Sequence, residues 1–209
     1  AERVKREEWA WMKKRYVALQ LLDEYNRQDP RRVIWNGTTY PQEYFLAVKL
    51  HEWVLKLDPD ASEELLLASR SQHIGRWELP RENYPEGREA YLKWRKDMAR
   101  HHAEIVAGLM AKAGYGEEQI ERVQQIILKK RIKVDAEVQT MENAVCLVFL
   151  EFLYEDFSKR YESDPEKMID ILWKSLLKMD AHGHSFALQL SYSEGGQELV
   201  QKAVERIKK

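Results

Sequence analysis

The sequence predicts an all-α protein folded as one domain, and three observations lead there. Apolar residues recur at three- and four-residue spacing along most of the chain. No run shows the strict alternation of a half-buried strand. The 9 Gly and 6 Pro in 209 residues fall in clusters that separate long periodic segments.

The first helix reads from about Arg6 to Gln28 on the stripe Trp9, Met12, Tyr16, Leu19 and Leu22, and Asp29-Pro30 ends it. Arg31 to Tyr40, with Asn36-Gly37 inside it, reads as a loop or turn. Pro41 suits the first turn of a second helix, which reaches Leu57 before Asp58-Pro59-Asp60 breaks it. Ser62, with Glu63 and Glu64 behind it, opens a third helix to about Ile74. From Gly75 to Gly87 the chain is polar and carries Pro80 and Pro85. It is the longest irregular segment, the kind of loop on which function concentrates.

A long fourth helix runs from about Arg88 to Lys112 and is closed by Gly114 and Gly116. Glu117 to Lys130 forms a fifth on Ile120, Val123 and Ile127. Asp135 caps a sixth that reaches about Arg160. Its apolar centre between charged flanks marks it as the central helix of a bundle. Asp164-Pro165 starts a seventh, ending near Met179. Ala181 to Ser193 reads as mostly irregular, and Glu194 to Lys208 as a short amphipathic tail. The chain thus divides into residues 1–36, a helix and loop packing on the bundle, residues 37–190, the helical domain, and residues 191–209, a C-terminal amphipathic helix. There is no fixed-period repeat and no low-complexity tract.

Hydrophobic residues make up 44% and charged residues 33%, enough to bury a core under a solvated surface. The net charge of -1 argues against broad nucleic-acid binding, which needs a basic excess, but leaves room for a local basic cleft. The single cysteine, Cys146, cannot form an internal disulfide and sits in the apolar run Ala144 to Leu150, so it reads as a core residue. A reducing, intracellular setting follows as the expectation: cytoplasm or an organelle matrix such as the mitochondrial one. No signal peptide is visible, and that apolar run stops at Glu151, far short of the ~20 residues of a membrane span. The chain begins at Ala1 without an initiator Met, which processing, import or trimming would each explain.

Six histidines are present: His51, His73, His101, His102, His182 and His184. Four of them lie on the second, third and fourth predicted helices, and Glu142-Asn143 opens the apolar part of the sixth. This order resembles the HD phosphohydrolase superfamily. That resemblance implies a divalent metal held by a His, a His-Asp pair and a distant Asp, and activating a water for attack on a phosphate ester. The chain departs from the pattern. In Ser71-Gln72-His73-Ile74-Gly75, Gln72 stands for the His and His73 for the Asp; Asn143 stands for the distant acid. A neutral amide is a poor substitute for a carboxylate facing a divalent cation.

A closer resemblance is to the domain-of-unknown-function 4202 family, a helical group with HD-like character. It is carried by Leu57 to Glu63 (LDPDASE), Ser71 to Arg81 (SQHIGRWELPR), Tyr84-Pro85, Tyr91 to Arg95 (YLKWR), Gly114-Tyr115 and Ala144 to Glu151 (AVCLVFLE), over about Gly37 to Leu190. The resemblance implies an HD-like multi-helix bundle. It singles out His73, His102 and Glu142 as candidate catalytic residues. As candidate ligand-binding residues it gives Gln72, Arg76, Trp77, Arg81, Trp94, Arg95, Lys130 and Gln139, with Glu137 beside them.

Read as chemistry, the group is coherent. Arg76, Arg81 and Arg95 suit bidentate recognition of phosphate or carboxylate. Trp77 and Trp94 suit stacking on a planar ligand or an arginine. Each also has a plainer reading. His73 can complement a helix end, the arginines can pair with Glu78, Glu82 and Glu89, and Lys129-Lys130-Arg131 with Lys133 can be a solvated helix end. Glu142 within an apolar helix is harder to set aside, because a buried carboxylate needs a partner.

Two functions are expected on these grounds. One is a non-catalytic, degenerate HD-like domain, acting as an accessory subunit among other proteins or binding a small phosphate-bearing anion. The other is a metal-dependent phosphohydrolase acting on a nucleotide or related ester, the only reading that calls for a divalent cofactor. A weaker third is a metal-free lyase or transferase with His73 or His102 as general base. The residues leave open whether the chain is an enzyme. No Walker loop, dinucleotide-binding glycine motif, cysteine pair or serine elbow is present.

Overall fold

The computed structural model describes residues 1–209. It is built from ten α-helices and one small hairpin: α1 (Glu2–Asn26), β1 (Arg32–Trp35), β2 (Thr38–Pro41), α2 (Gln42–Leu57), α3 (Glu63–Ser71), α4 (Arg88–Ala113), α5 (Glu117–Ile127), α6 (Ala136–Val148), α7 (Tyr154–Ser158), α8 (Pro165–Lys178), α9 (Ala181–Ala187) and α10 (Glu194–Lys208). The class is all-α, as the periodicity predicts.

Helix starts follow side-chain capping. Ser62 Oγ accepts from Leu65 N at 3.1 Å, and Asp135 accepts from the amides of Glu137 and Val138. Asp164 caps α8 with Pro165 in its first turn. Each cap satisfies amide donors that the first turn of a helix leaves without a partner. α4 ends at Gly114, whose φ of 100° lets Tyr115 N reach back to Met110 O.

α6 is the central helix: α2, α3, α5, α8 and α9 all pack on it. α4 packs on α1 and α5, and α10 lies along α8. One core cluster runs from Ala18 to Ala203, with Leu65, Leu67, Met110, Ile126, Met141, Leu147 and Met168 fully buried. No helix is long and apolar enough to cross a membrane.

Four expectations need correction. Residues 31–40 are not simply a loop: β1 and β2 pair antiparallel around Asn36-Gly37, both at positive φ, as a tight two-residue hairpin requires. Trp35 then packs on Phe45 and Phe152. The first half of the α1 stripe does not reach the core. Trp9, Met12 and Tyr16 are exposed, and burial begins at Ala18 and Leu22. The sixth helix does not run unbroken to Arg160. A π-helical stretch at Phe149–Leu153 interrupts it after Val148. Residues 181–187 form α9, started by Asp180 accepting from Gly183 N at 3.1 Å.

Candidate functional site

The arrangement begins at Gly75. Its φ of 72° turns the chain out of α3, and a Cβ there would sit 2.5 Å from Glu78 Oε1 and from Ile105 Cδ1. The following segment, two short 3-10 turns at Arg76–Glu78 and Arg81–Asn83, is laid against α4. Trp94 Nε1 donates to Leu79 O at 2.8 Å, and Tyr84 OH donates to Asp97 Oδ2 at 2.8 Å. His102 Nδ1 donates to Ile74 O at 2.6 Å and ties α4 to the end of α3.

Between this turn, α4, the end of α5 and the end of α8 lies a cleft of about 480 Å³. Its lining holds five cationic side chains, Arg76, Arg95, Lys96, Lys129 and Lys178, and no carboxylate. Tyr91 and Trp94 supply aromatic wall, their rings 5.9 Å apart. Like charges drawn together in this way, in a chain of net charge -1, create a local positive potential that an anion relieves.

Two histidines sit at the bottom. The rings of His73 and His102 meet edge to face, 5.8 Å apart. Burial holds the His73 imidazole well below the usual histidine range, and Arg76, His102 and Lys129 push the same way. Burial lowers His102 to about 4, partly offset by the Ile74 hydrogen bond. Both rings are therefore neutral near pH 7. Because a carbonyl only accepts, the proton of His102 is on Nδ1 and its Nε2 offers a lone pair.

Two buried acceptors border the site. Gln72 Nε2 donates to Ile127 O at 3.1 Å, while its Oε1 has no partner. Glu142 Oε2 lies 2.8 Å from Lys129 Nζ and forms an ion pair with it. Lys129 takes φ 55° and Arg131 φ 60°, left-handed conformations that cost residues with a side chain of order 1–3 kcal/mol each. That backbone puts Lys129 at once on Glu142 and in the cleft lining.

Of the residues expected from the sequence, Gln72, His73, Arg76, Trp94, Arg95 and His102 line the cleft together. The others do not line it. Trp77 packs on Tyr25, with centroids 5.9 Å apart. Arg81 donates to the carbonyls of Tyr84 and Pro85 and so holds its own loop. Lys130 faces a different cleft, of about 470 Å³, lined by Glu117 and Glu121 of α5. Gln139 donates to Asn143 Oδ1 and Lys178 O, Glu142 sits behind Lys129, and Glu137 is paired with Arg122 and Ser62. Asn143, in place of the distant acid, donates to Asp180 Oδ1 at 2.8 Å and accepts from Asp180 N at 3.1 Å. It fastens α6 to the start of α9.

This set does not fit a divalent cation. No three His, Cys, Asp or Glu side chains converge on one point. Glu142 is engaged by a lysine, Asn143 by Asp180, and the charges that line the cleft are cations.

Sequence reasoning missed Tyr91, Lys96, Met98 and Lys178, and named Lys129 only within a basic cluster at a helix end. Tyr91 and Met98 were within reach, because they lie four residues before and three after Arg95 on α4 and so share its face. Lys178, brought in from the end of α8, carries no local signal.

The chain belongs to the family described as domain of unknown function (DUF4202), which matches residues 16–200. No curated protein and no solved structure matches it.

Proposed function

We propose that this domain is a binding module for a small polyanion, with a phosphate-bearing ligand that carries a planar group as the best fit. The observation that carries the reading is a lining of five cations with no carboxylate in it, of which only Lys129 is paired, with Glu142 behind it. Arg76 and Arg95 offer forks for phosphate oxygens, Lys96 and Lys178 supply point charges, Lys129 is shared with the buried Glu142, and Trp94 and Tyr91 offer a face for stacking. The unpartnered Gln72 Oε1 and the lone pair of His102 Nε2 are acceptors for donor groups of the ligand.

The histidines support binding over catalysis. A general base works best with a pKa near the operating pH. His102 at about 4, and His73 well below its ordinary value, take up protons reluctantly at neutral pH. They serve instead as neutral hydrogen-bonding groups beneath the cationic rim. An accessory role within a larger assembly is compatible with a module of this kind.

The test is calorimetric titration of ADP and of inorganic pyrophosphate into the protein in the presence of EDTA. Both are expected to bind. Arg76→Ala and Arg95→Ala are each expected to weaken binding at least about tenfold, since a hydrogen bond to a charged group contributes about 1.5–3 kcal/mol. No binding of either ligand, or unchanged affinity in both variants, overturns the proposal.

A further inference from the structure

A second cavity, of about 510 Å³, lies beyond the cleft, and its character is different. Nine of its sixteen lining residues are hydrophobic, among them Leu46, Val145, Val148, Phe149 and Phe152. Its volume falls within the range of about 300–1,000 Å³ typical of small-molecule sites. His73 and Arg76 line both spaces and are the residues at which the cationic cleft and the apolar cavity meet. Asp156 and Arg160 mark the other rim, where the Asp156 side chain is 88% exposed.

The backbone adds an independent observation. The π-helical stretch Phe149–Leu153 turns Phe149, Phe152 and Leu153 into this cavity. An inserted residue of this kind disturbs the helical hydrogen-bond ladder and is frequent at functional sites. Glu43, buried in the wall, is raised by burial to about 8, and its carboxyl lies 3.6 Å from the Arg31 guanidinium, so its charge is balanced within the wall.

We propose that the ligand is amphipathic: a phosphate monoester whose anionic head occupies the cationic cleft and whose hydrocarbon group passes Arg76 and His73 into the apolar cavity. This inference rests on the anion-binding reading and adds the chemistry of the other end of the ligand. Inorganic phosphate alone fills half of the site. The guanidinium of Arg76, at the boundary, faces the ester oxygens, while the chain beyond it is removed from water.

The experiment is calorimetric titration of methyl phosphate and of octyl phosphate, the latter kept below its micellar concentration, into the wild-type chain and into Leu46→Trp and Val145→Phe. Both substitutions fill the cavity without touching the cleft lining, and far-UV circular dichroism and thermal melting identify which variants fold. Burial of a methylene contributes about fourfold in affinity. Octyl phosphate is therefore expected to bind at least a hundredfold more tightly than methyl phosphate. That advantage is expected to shrink at least tenfold in whichever cavity-filled variant folds, with methyl phosphate titrating as in the wild type. Equal affinity of the two esters for the wild type overturns the cavity inference and leaves the cleft reading standing. An advantage that persists in the filled variants also overturns it. Absence of binding by either ester, with pyrophosphate also silent, overturns both.

Discussion

Replacing His102 by Asn tests how the bottom of the cleft is built. The side-chain amide of Asn places its nitrogen close to where histidine carries Nδ1, so the donation to Ile74 O is kept while the titrating ring is removed. In the native chain burial lowers His102 from 6.5 to about 4. The unfolded chain therefore binds a proton here at a pH where the native chain does not. Stability contributed by this site is full above pH 6.5 and falls as pH drops toward 4. Each unit of this window is worth 1.36 kcal/mol, so between pH 7.5 and pH 5 the site costs the wild type about 2 kcal/mol. Urea unfolding at the two pH values measures it. His51 titrates in the same direction and is common to both proteins, so it drops out, while His73, which His102 helps to hold down, is replaced by Asn in both backgrounds to remove its coupled response. The stability difference between wild type and His102→Asn should shift by about 2 kcal/mol in favour of the variant at pH 5. Parallel pH profiles would refute the claim that His102 is held neutral in the fold.

Glu43→Gln should act at the opposite end of the pH scale. Burial raises this carboxyl from 4.5 to about 8, so its stabilising contribution is present below pH 4.5 and is lost as pH rises to 8. The variant should gain on the wild type by several kcal/mol between pH 5 and pH 9 in urea unfolding, and identical slopes would contradict it. Asp135→Ala removes the cap of α6 together with the Arg122 fork at 2.7 and 3.0 Å. A loss of about 1–3 kcal/mol is expected by chemical denaturation. Gly183→Ala places a Cβ 2.7 Å from Asn143 Cγ and Oδ1, where the side chain is already pinned by Asp180. It should cost about 1–3 kcal/mol, and a neutral result would show that α9 moves freely on α6.

Much of the fold was legible because its signals are local. Asp135, Asp164-Pro165 and Ser62 each announce a helix start by side-chain chemistry that acts within three residues. The hairpin had its turn in view at Asn36-Gly37, flanked by Val33, Ile34, Thr38 and Thr39, but its strands are four residues each, and burial alternates along β1 and not along β2. The π-helical break after Val148 left no trace, because Phe149, Leu150, Phe152 and Leu153 read as helix on either side of it. The α1 stripe misled because periodicity reports which residues share a face, not whether anything covers that face. Trp9, Met12 and Tyr16 share a face of α1 that stays exposed.

The site was legible in part for the same reason. Gln72, His73 and Arg76 lie on one turn, and Trp94, Arg95 and His102 on one helix, so sequence order kept them together. Lys129 and Lys130 differ by one position, and the left-handed backbone at Lys129 decides that it, not its neighbour, lines the cleft. Glu142 was rightly expected to need a partner, and the partner is that same lysine.

The central claim, that the cleft binds a polyanion, is tested most directly by thermal melting of the wild type and of Arg76→Ala/Arg95→Ala with and without millimolar pyrophosphate. A ligand bound by the native state alone raises stability by RT ln(1 + [L]/Kd), about 2.7 kcal/mol at a hundredfold excess over Kd. The account predicts a rise in the melting temperature of the wild type, by several degrees, that the double variant loses. An equal shift in both proteins, or none in either, would contradict it.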